Sequence, residues 1–146
     1  MSPNFCALAV LVTSAGFLLA QESKPDNSGR MPAAEAQKLK SPVANTKKSI
    51  NLGRSTYVRY CAACHGPDAK AQVDVVADAT DLTSPNLYKS GTTEGEIFRS
   101  IRDGAGETMP PFKTQIAQEI DLWHLVNYLR SLWPDGKRPP VVEDAK

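Results

Sequence analysis

Apolar side chains recur three or four positions apart along three stretches of the chain, which predicts three amphipathic helices. The first begins near Lys47, and its apolar face carries Ile50, Gly53, Tyr57, Tyr60, Cys61 and Cys64. The second runs from Thr93 to Asp103, and its apolar face carries Ile97, Phe98 and Ile101. The third covers residues 117–133, with Leu122, Leu125, Val126, Leu129 and Leu132 on one face. Residues 68–88 follow no helical period and predict a loop.

Capping and breaking residues mark the ends of these helices. Gly66 follows the first apolar pattern directly and predicts its end, because glycine is favoured just past a helix C-terminus. Thr93 and Glu96 form the pattern of a capping box, and Gly104 ends the second helix. Pro134 ends the third. The boundaries agree with the periodicity, so we expect a helical domain over residues 47–134.

The two ends of the chain have a different composition. Residues 1–20 contain no Asp, Glu, Lys or Arg and are mostly apolar, with Cys6 as one small apolar residue among them. A stretch this short favours a secretory signal peptide, with an uncleaved N-terminal anchor as the alternative. Residues 21–46 are polar and aperiodic and predict a flexible leader. Residues 135–146 predict a mobile tail.

The charge balance argues against one class of partner. The chain has 17 Lys and Arg against 16 Asp and Glu, and its formal net charge is +1. Nucleic-acid binding calls for a basic patch or stripe, and none is visible along the sequence. We therefore expect no nucleic-acid partner. If charge selects a protein partner, it does so through a local patch of charged residues and not through the net charge of the protein.

The sequence CAACH, residues 61–65, is the pattern with the most specific chemistry. Two thiols three positions apart, followed at once by an imidazole, are the arrangement that covalent attachment of a c-type haem uses. Each thiol can add across one haem vinyl group, while the adjacent imidazole can bind the iron. The motif takes two of the three cysteines in the chain and one of the two histidines. It predicts that Cys61, Cys64 and His65 hold a haem.

Three other uses of the same residues compete with haem attachment. A thioredoxin-like redox pair belongs in a βαβ pattern, which the surrounding sequence lacks. A structural zinc site normally needs four ligands, and His124 and Cys6 are the remaining histidine and cysteine. A disulfide between Cys61 and Cys64 is possible in an oxidising compartment but leaves His65 without a role.

Met109 is the candidate for the second axial position of such an iron. It lies in the loop GAGETMPPF, residues 104–112, and a thioether is a soft ligand that raises the reduction potential of haem iron. Pro110 and Pro111 have fixed φ angles and stiffen the loop beside it. Two alternatives stay open: Met109 as a core residue, and His124 as the sixth ligand, although His124 lies mid-helix among apolar neighbours.

Taken in order, four segments resemble class I c-type cytochromes, small monohaem electron carriers of the bacterial periplasm. They are GRSTYVRYCAACHG, DLTSPNL, GEIFRSIRDGAGETMPPF and EIDLWHLVNYLRSL, and they lie between about Ile50 and Trp133. The resemblance implies an all-α fold of three to four helices around one covalently bound haem c, with the N- and C-terminal helices crossing. It also implies thioether bonds at Cys61 and Cys64, His65 as proximal ligand and Met109 as distal ligand.

One segment departs from the pattern of that family. The loop HGPDAKAQVDVV, residues 65–76, lacks the glycine-rich run and the proline common in relatives. The backbone carbonyl that orients His65 through its other ring nitrogen is therefore left open.

The function implied by the resemblance is one-electron transfer in the periplasm, without enzymatic turnover. The expected donor is a periplasmic dehydrogenase and the expected acceptor a cytochrome or terminal oxidase. We expect a monomer that meets the membrane only if residues 1–20 stay uncleaved. The alternatives are a small haem enzyme or gas sensor with an open sixth position, and a cytochrome subunit of a membrane-bound complex.

Overall fold

The computed structural model describes residues 29–71, 76 and 78–144. Within these residues the protein has five α-helices, one short 3-10 helix and no β-strand. The helices are α1 (Ala33–Lys38), α2 (Lys47–Tyr60), α3 (Ala62–His65), α4 (Glu94–Asp103) and α5 (Glu119–Ser131), with the 3-10 helix at Pro85–Leu87. Four α-helices lie within residues 47–134, so the prediction of an all-α fold with three to four helices is confirmed.

The segment predicted to be a signal peptide or anchor, residues 1–20 with Cys6, lies outside the described residues. Among the helices that the structure does describe, none has the length and apolar character needed to span a bilayer.

The predicted caps are present where the helices begin. The Thr93 hydroxyl accepts a hydrogen bond from the Glu96 amide (3.2 Å), and the Glu96 carboxylate accepts one from the Thr93 amide (2.9 Å). This reciprocal capping box satisfies two amides that a helix start otherwise leaves without partners. At the start of α2, Thr46 accepts from the Ser49 amide in the same way (3.1 Å).

Helices α2 and α5 cross in close contact, as the resemblance implied. Gly53 lies at the crossing, and a β-carbon at that position would come within 2.8 Å of the Tyr128 β-carbon and closer still to the backbone carbonyl of His124. Only a glycine allows the two backbones to approach this far. The rings of Tyr57 and Tyr128 pack beside the crossing with their centroids 5.3 Å apart.

A third helix, α4, completes the core. Phe98 of α4 stacks on Trp123 of α5 with ring centroids 4.0 Å apart, and both side chains are buried. Ile97 and Ile101 are buried on the same helix. The apolar faces predicted for α4 and α5 are therefore the faces that form the core.

The second half of the predicted flexible leader packs against the domain. Helix α1 lies on α4, and Ala36 is completely buried there. Gly95 of α4 contacts the Ala36 carbonyl and the Leu39 side chain, so two small residues let the segments approach closely. Periodicity does not reveal this pairing, because a six-residue helix is too short to show a repeat.

Part of the predicted mobile tail also contacts the domain. The Arg138 guanidinium donates two hydrogen bonds to the Trp133 carbonyl (3.1 and 3.0 Å). Further on, the Val142 amide donates to the Asn45 carbonyl (2.9 Å), and the Asn45 side chain donates to the Pro140 carbonyl (2.9 Å). The partners are mostly backbone groups, which explains why the side-chain pattern gave no sign of them.

We predict that Gly53→Ala destabilises the protein, although alanine is the better helix former. Helix propensity alone would raise the free energy of unfolding by about 1 kcal/mol. Overpacking at the crossing should instead lower it by about 1 to 3 kcal/mol, because the α5 backbone cannot move aside without opening the core. Denaturant unfolding measures the sign. Ser55→Ala, on the exposed side of α2, is the control and should change stability by less than about 0.5 kcal/mol. A stabilised Gly53→Ala variant would contradict the close crossing.

Candidate functional site

A cavity of about 360 Å³ lies between α3, α4, α5 and the loop 104–112. Cys61, Cys64, His65 and Met109 all line it, so the structure brings the four predicted site residues together. Most of the remaining wall is apolar or aromatic, including Tyr60, Leu82, Tyr88, Ile97, Ile101, Phe112, Leu125 and Leu129. The volume falls within the range of ligand pockets, about 300 to 1,000 Å³.

The two thiols enter the cavity from the junction of α2 and α3. The predicted continuous helix is interrupted at Cys61, whose φ of −116° departs from the helical value, and α3 begins at the next residue. Cys61 is half-buried and Cys64 exposed, and the two are not bonded to each other. The cavity is thus deep at Cys61 and reaches the surface at Cys64.

The chemistry of Cys61 argues against a redox pair. Burial, followed by the proximity of Cys64, raises the pKa of the Cys61 thiol to about 12. A reactive redox cysteine needs a lowered pKa, because the thiolate is the nucleophile. A zinc site is not supported either: among the described residues no three His, Cys, Asp or Glu side chains are placed to share a metal ion.

The orientation of His65 is set by a backbone carbonyl, and the structure shows which one. The Nδ1 atom of His65 lies 3.0 Å from the Thr80 carbonyl oxygen. A carbonyl only accepts, so Nδ1 carries the proton and Nε2 is the nitrogen with a free lone pair. The same contact restrains the ring, as the second nitrogen of a metal-binding histidine normally does.

The backbone around His65 is held by two further contacts. The Tyr57 hydroxyl, from inside the core, donates a hydrogen bond to the Gly66 carbonyl (2.6 Å). Burial raises the pKa of Tyr57, so its hydroxyl stays protonated as the donor. The Ala71 amide donates to the His65 carbonyl (2.9 Å), and Ala71 has a positive φ of 51°. A left-handed non-glycine residue is uncommon and indicates a turn that its surroundings hold in place.

The loop that carries Met109 is closed by paired backbone bonds. The Ala105 amide donates to the Met109 carbonyl (3.1 Å), and the Met109 amide donates to the Ala105 carbonyl (3.2 Å). Gly104 has a φ of 82° and lies close to the Met109 carbonyl. A β-carbon added at Gly104 would lie 2.7 Å from the Met109 oxygen. At the other end of the loop, the Phe112 amide donates a hydrogen bond to the Ile101 carbonyl (3.0 Å). These hydrogen bonds hold the backbone of the loop at Met109 and at Phe112. The Met109 side chain is half-buried and lines the cavity.

His124, the alternative sixth ligand, does not line the cavity. Its Nδ1 atom lies 2.9 Å from the Ser49 hydroxyl, and the Asn127 side chain donates to the same hydroxyl (2.8 Å). These contacts place His124 at the crossing of α2 and α5, among the polar groups that bind the start of α2.

Residues 48–129 match the family described as cytochrome c oxidase, cbb3-type, subunit III, and this match covers more than half of the chain. The chain belongs to this family of c-type cytochromes. Its cofactor is therefore haem c, covalently bound, and its family is one of electron carriers.

Individual proteins agree with this assignment. The c-type cytochrome described here is 34% identical to cytochrome c550 of Pseudomonas aeruginosa over 100 residues, which are 64% of this chain and 63% of that protein. It thus spans somewhat less than two thirds of the length of that relative.

Two solved structures share the fold. Cytochrome cL of the marine methylotroph Methylophaga aminisulfidivorans has a TM-score of 0.53 at 23% identity, over 61% of this chain and 57% of that one. A reducing HAO-like protein complex of Kuenenia stuttgartiensis contains a chain with a TM-score of 0.56 at 23% identity, over 64% of this chain and 47% of that one.

The donor set of the cavity fits haem c. It combines two thiols, one imidazole with a free Nε2 and one thioether with apolar walls, which are the groups that a covalent haem with two axial ligands uses. Ser90, Ser100 and Tyr88 also line the cavity, and the hydroxyls of Ser100 and Tyr88 donate to the backbone carbonyls of Glu96 and Leu82.

Several residues that build this cytochrome site were not predicted from sequence. Thr80 contributes a backbone carbonyl, which every residue type has, so no side chain marks it. Leu82 and Tyr88 come from a loop without periodicity and meet the cavity only in the folded chain. A signal for Tyr88 exists: it follows DLTSPNL, one of the segments that resemble the family.

We predict that Tyr57→Phe lowers the free energy of unfolding by about 1 to 3 kcal/mol, because the buried Gly66 carbonyl loses its donor. Denaturant unfolding of the haem-loaded protein measures the change. Tyr60→Phe removes the same atom from a half-buried ring at the end of α2 and should stay within about 0.5 kcal/mol of the wild type. Equal effects in both variants would show that the hydroxyl of Tyr57 has no special role in holding the end of α3.

Proposed function

We propose that the protein is a one-electron carrier of the periplasm whose haem is held by thioether bonds to Cys61 and Cys64, with His65 and Met109 as axial ligands. The observation that carries the proposal is the meeting of these four side chains in one cavity with apolar walls. They come from two parts of the chain more than forty residues apart. A chance meeting of a thioether with the CAACH residues in one pocket would be a rare event.

The geometry of each side chain supports the role proposed for it. His65 presents Nε2 because Nδ1 is engaged by Thr80, so one nitrogen is available to an iron. Met109 has its backbone restrained by the loop, and its sulfur is the soft donor on the cavity wall. When bound, haem supplies an iron that changes its charge by one electron at a time. Ligands on both sides of it would leave no vacancy for oxygen or peroxide, which favours transfer over catalysis.

The shape of the cavity suits electron transfer to other proteins. Its deep wall is buried, while Cys64, Gly106 and Glu107 line it from exposed positions. A cofactor held there would have one edge near the surface. We expect encounters with redox partners to be brief and their interfaces small, as in other electron-transfer pairs.

Export to the periplasm is supported by the uncharged, apolar residues 1–20. For partners we propose a periplasmic dehydrogenase as donor and a cytochrome or terminal oxidase as acceptor, with the carrier itself monomeric. The near balance of basic and acidic residues suits partners that meet the carrier through a local patch.

A second candidate is a haem-carrying subunit of a larger assembly, favoured by the description of the matching family as a subunit of an oxidase.

We predict that native protein from a detergent-free extract elutes at the size of a monomer, near 15.8 kDa or below if the signal is cleaved. Size-exclusion chromatography with detection of haem absorbance measures this. Elution of the haem only in a detergent-solubilised complex would favour the second candidate.

We predict that Met109→Leu opens the sixth iron position. Leucine has nearly the volume of methionine, so packing is kept and only the sulfur is lost. The oxidised variant should lose the weak far-red absorption of sulfur ligation, and the reduced variant should bind carbon monoxide readily, whereas the wild type binds it poorly. Met31→Leu, at the other half-buried methionine that the structure describes, is the matched control. Its hydrogen bonds to Asp103 and Arg99 are made by its backbone, so the substitution keeps them and should leave both readouts as in the wild type.

The outcomes separate the proposed functions. A wild type without the far-red band, and with carbon monoxide binding equal to that of Met109→Leu, would contradict axial ligation by Met109. The open-site enzyme or sensor would then be the better hypothesis.

A further inference from the structure

Residues 29–31 cross the base of the loop 104–112, and we call them the strap. The Arg30 guanidinium donates a hydrogen bond to the Gly104 carbonyl (2.7 Å), at the point where the loop begins. The Arg99 side chain of α4 donates to the Met31 carbonyl. The strap is therefore bound to α4 and to the first residue of the loop by contacts across about seventy positions of sequence.

Asp103 is the residue where the strap, α4 and the loop meet. Its side chain is only 1% exposed. One carboxylate oxygen accepts a hydrogen bond from the Met31 amide of the strap (2.8 Å). The other accepts from the Lys113 ammonium, just past the loop (3.3 Å), and from the Arg102 guanidinium (3.0 Å). Lys113 in turn reaches the Gly29 carbonyl (3.4 Å).

The buried carboxylate of Asp103 is ionised at neutral pH. Burial alone would raise its pKa, but the hydrogen bonds from Met31 and Lys113 and the charges of Arg102 and Lys113 lower the pKa overall. Charge-assisted hydrogen bonds of this kind are stronger than neutral ones. We call the contacts of Asp103 with Met31, Arg102 and Lys113 the junction. The junction is a set of paired groups and not an isolated surface ion pair.

We propose that Asp103 is a positioning residue: by linking the strap to both ends of the loop 104–112, it keeps Met109 in the cavity. The inference rests on the proposed role of Met109 as axial ligand. The loop has no core of its own, since Gly106, Glu107, Thr108 and Pro110 are exposed. Its placement depends on its ends: Asp103 directly precedes the loop, and its carboxylate binds Lys113, the residue that directly follows the loop.

The function of the strap follows from the same contacts. Through the Arg30 side chain and the backbone of Gly29 and Met31, a segment that precedes the cytochrome domain acts on the Met109 side of the site, although it lies outside the segments that resemble the family. Loss of the junction should leave the core formed by α2, α4 and α5 intact, because the strap adds only the half-buried side chain of Met31 to it, and substitutions at Asp103 and Arg30 leave that side chain in place. It should let the loop open more often.

The test compares Asp103→Asn and Arg30→Gln with the wild type, all loaded with haem. Two quantities are measured: hydrogen exchange of the Met109 and Lys113 amides, and the rate of carbon monoxide binding to the reduced protein. We expect both to rise about tenfold in each variant, the effect of losing one charge-assisted hydrogen bond. Arg30→Gln keeps Asp103, so it tests the link between the strap and the loop even if Asp103→Asn folds poorly.

Glu94→Gln is the matched control. Glu94 lies at the opposite end of α4, where its carboxylate pairs with Arg130 (3.3 Å) and Lys40 (3.9 Å), and it does not line the cavity. This variant loses ion pairs of the same helix, so it reports the effect of a general loss of stability. We expect its loop exchange and carbon monoxide binding to stay within about twofold of the wild type, because its pairs are partly solvated.

Two results would overturn the inference. In the first, Asp103→Asn and Arg30→Gln change loop exchange no more than Glu94→Gln does. In the second, exchange rises equally at amides of α5 such as Leu125, which would show global unfolding instead of loop opening. If the wild type already binds carbon monoxide freely, axial ligation by Met109 fails, while loop exchange still decides the role of Asp103.

Discussion

The backbone contact between α2 and α5 at Gly53 determines where the cavity can form. Helix α2 leads directly into Cys61 and α3, and α5 supplies Leu125 and Leu129 to the opposite wall. The distance between those walls is set at the crossing, because a β-carbon at Gly53 would push α5 away. A single missing side chain in the middle of one helix thus fixes the width of a site two turns farther along.

The two sides of the cavity are held by different means. On the side of His65, hydrogen bonds come from distant parts of the chain: Tyr57 from the core and Thr80 from the long loop. On the side of Met109, the loop binds to itself through Ala105 and is linked at its ends by Asp103. The orientation of the imidazole is therefore fixed from the core and the long loop, whereas the position of the thioether depends on a few polar contacts. Substitutions on the second side are expected to displace the Met109 side chain more readily than substitutions on the first displace that of His65.

The sequence predicted those features that depend on neighbouring residues. The capping box at Thr93 and the glycines that end α3 and α4 are local patterns, and each lies where the sequence predicts it. The interruption at Cys61 within the predicted first helix is not visible in the sequence. Met109 is a candidate in the sequence because a thioether suits the second axial position of haem iron, and the two prolines after it stiffen its loop. What could not be predicted are contacts made by groups that every residue has, such as the carbonyl of Thr80. The packing of α1 was missed for a related reason: it depends on Ala36 meeting Gly95, and small residues carry little pattern of their own.

The contact between Asn45 and Val142 has a consequence for how such a unit can be joined to others. These residues lie 97 positions apart in sequence, yet the Val142 amide binds the Asn45 carbonyl, and Thr46 and Val142 form a short parallel bridge. The start of α2 and the segment that follows α5 thus lie side by side, although residues 29–39 also pack on the domain. Domains with adjacent ends tolerate insertion into longer polypeptides, because both connections can be made without stretching the fold. A domain with neighbouring ends of this kind suits fusion to further domains.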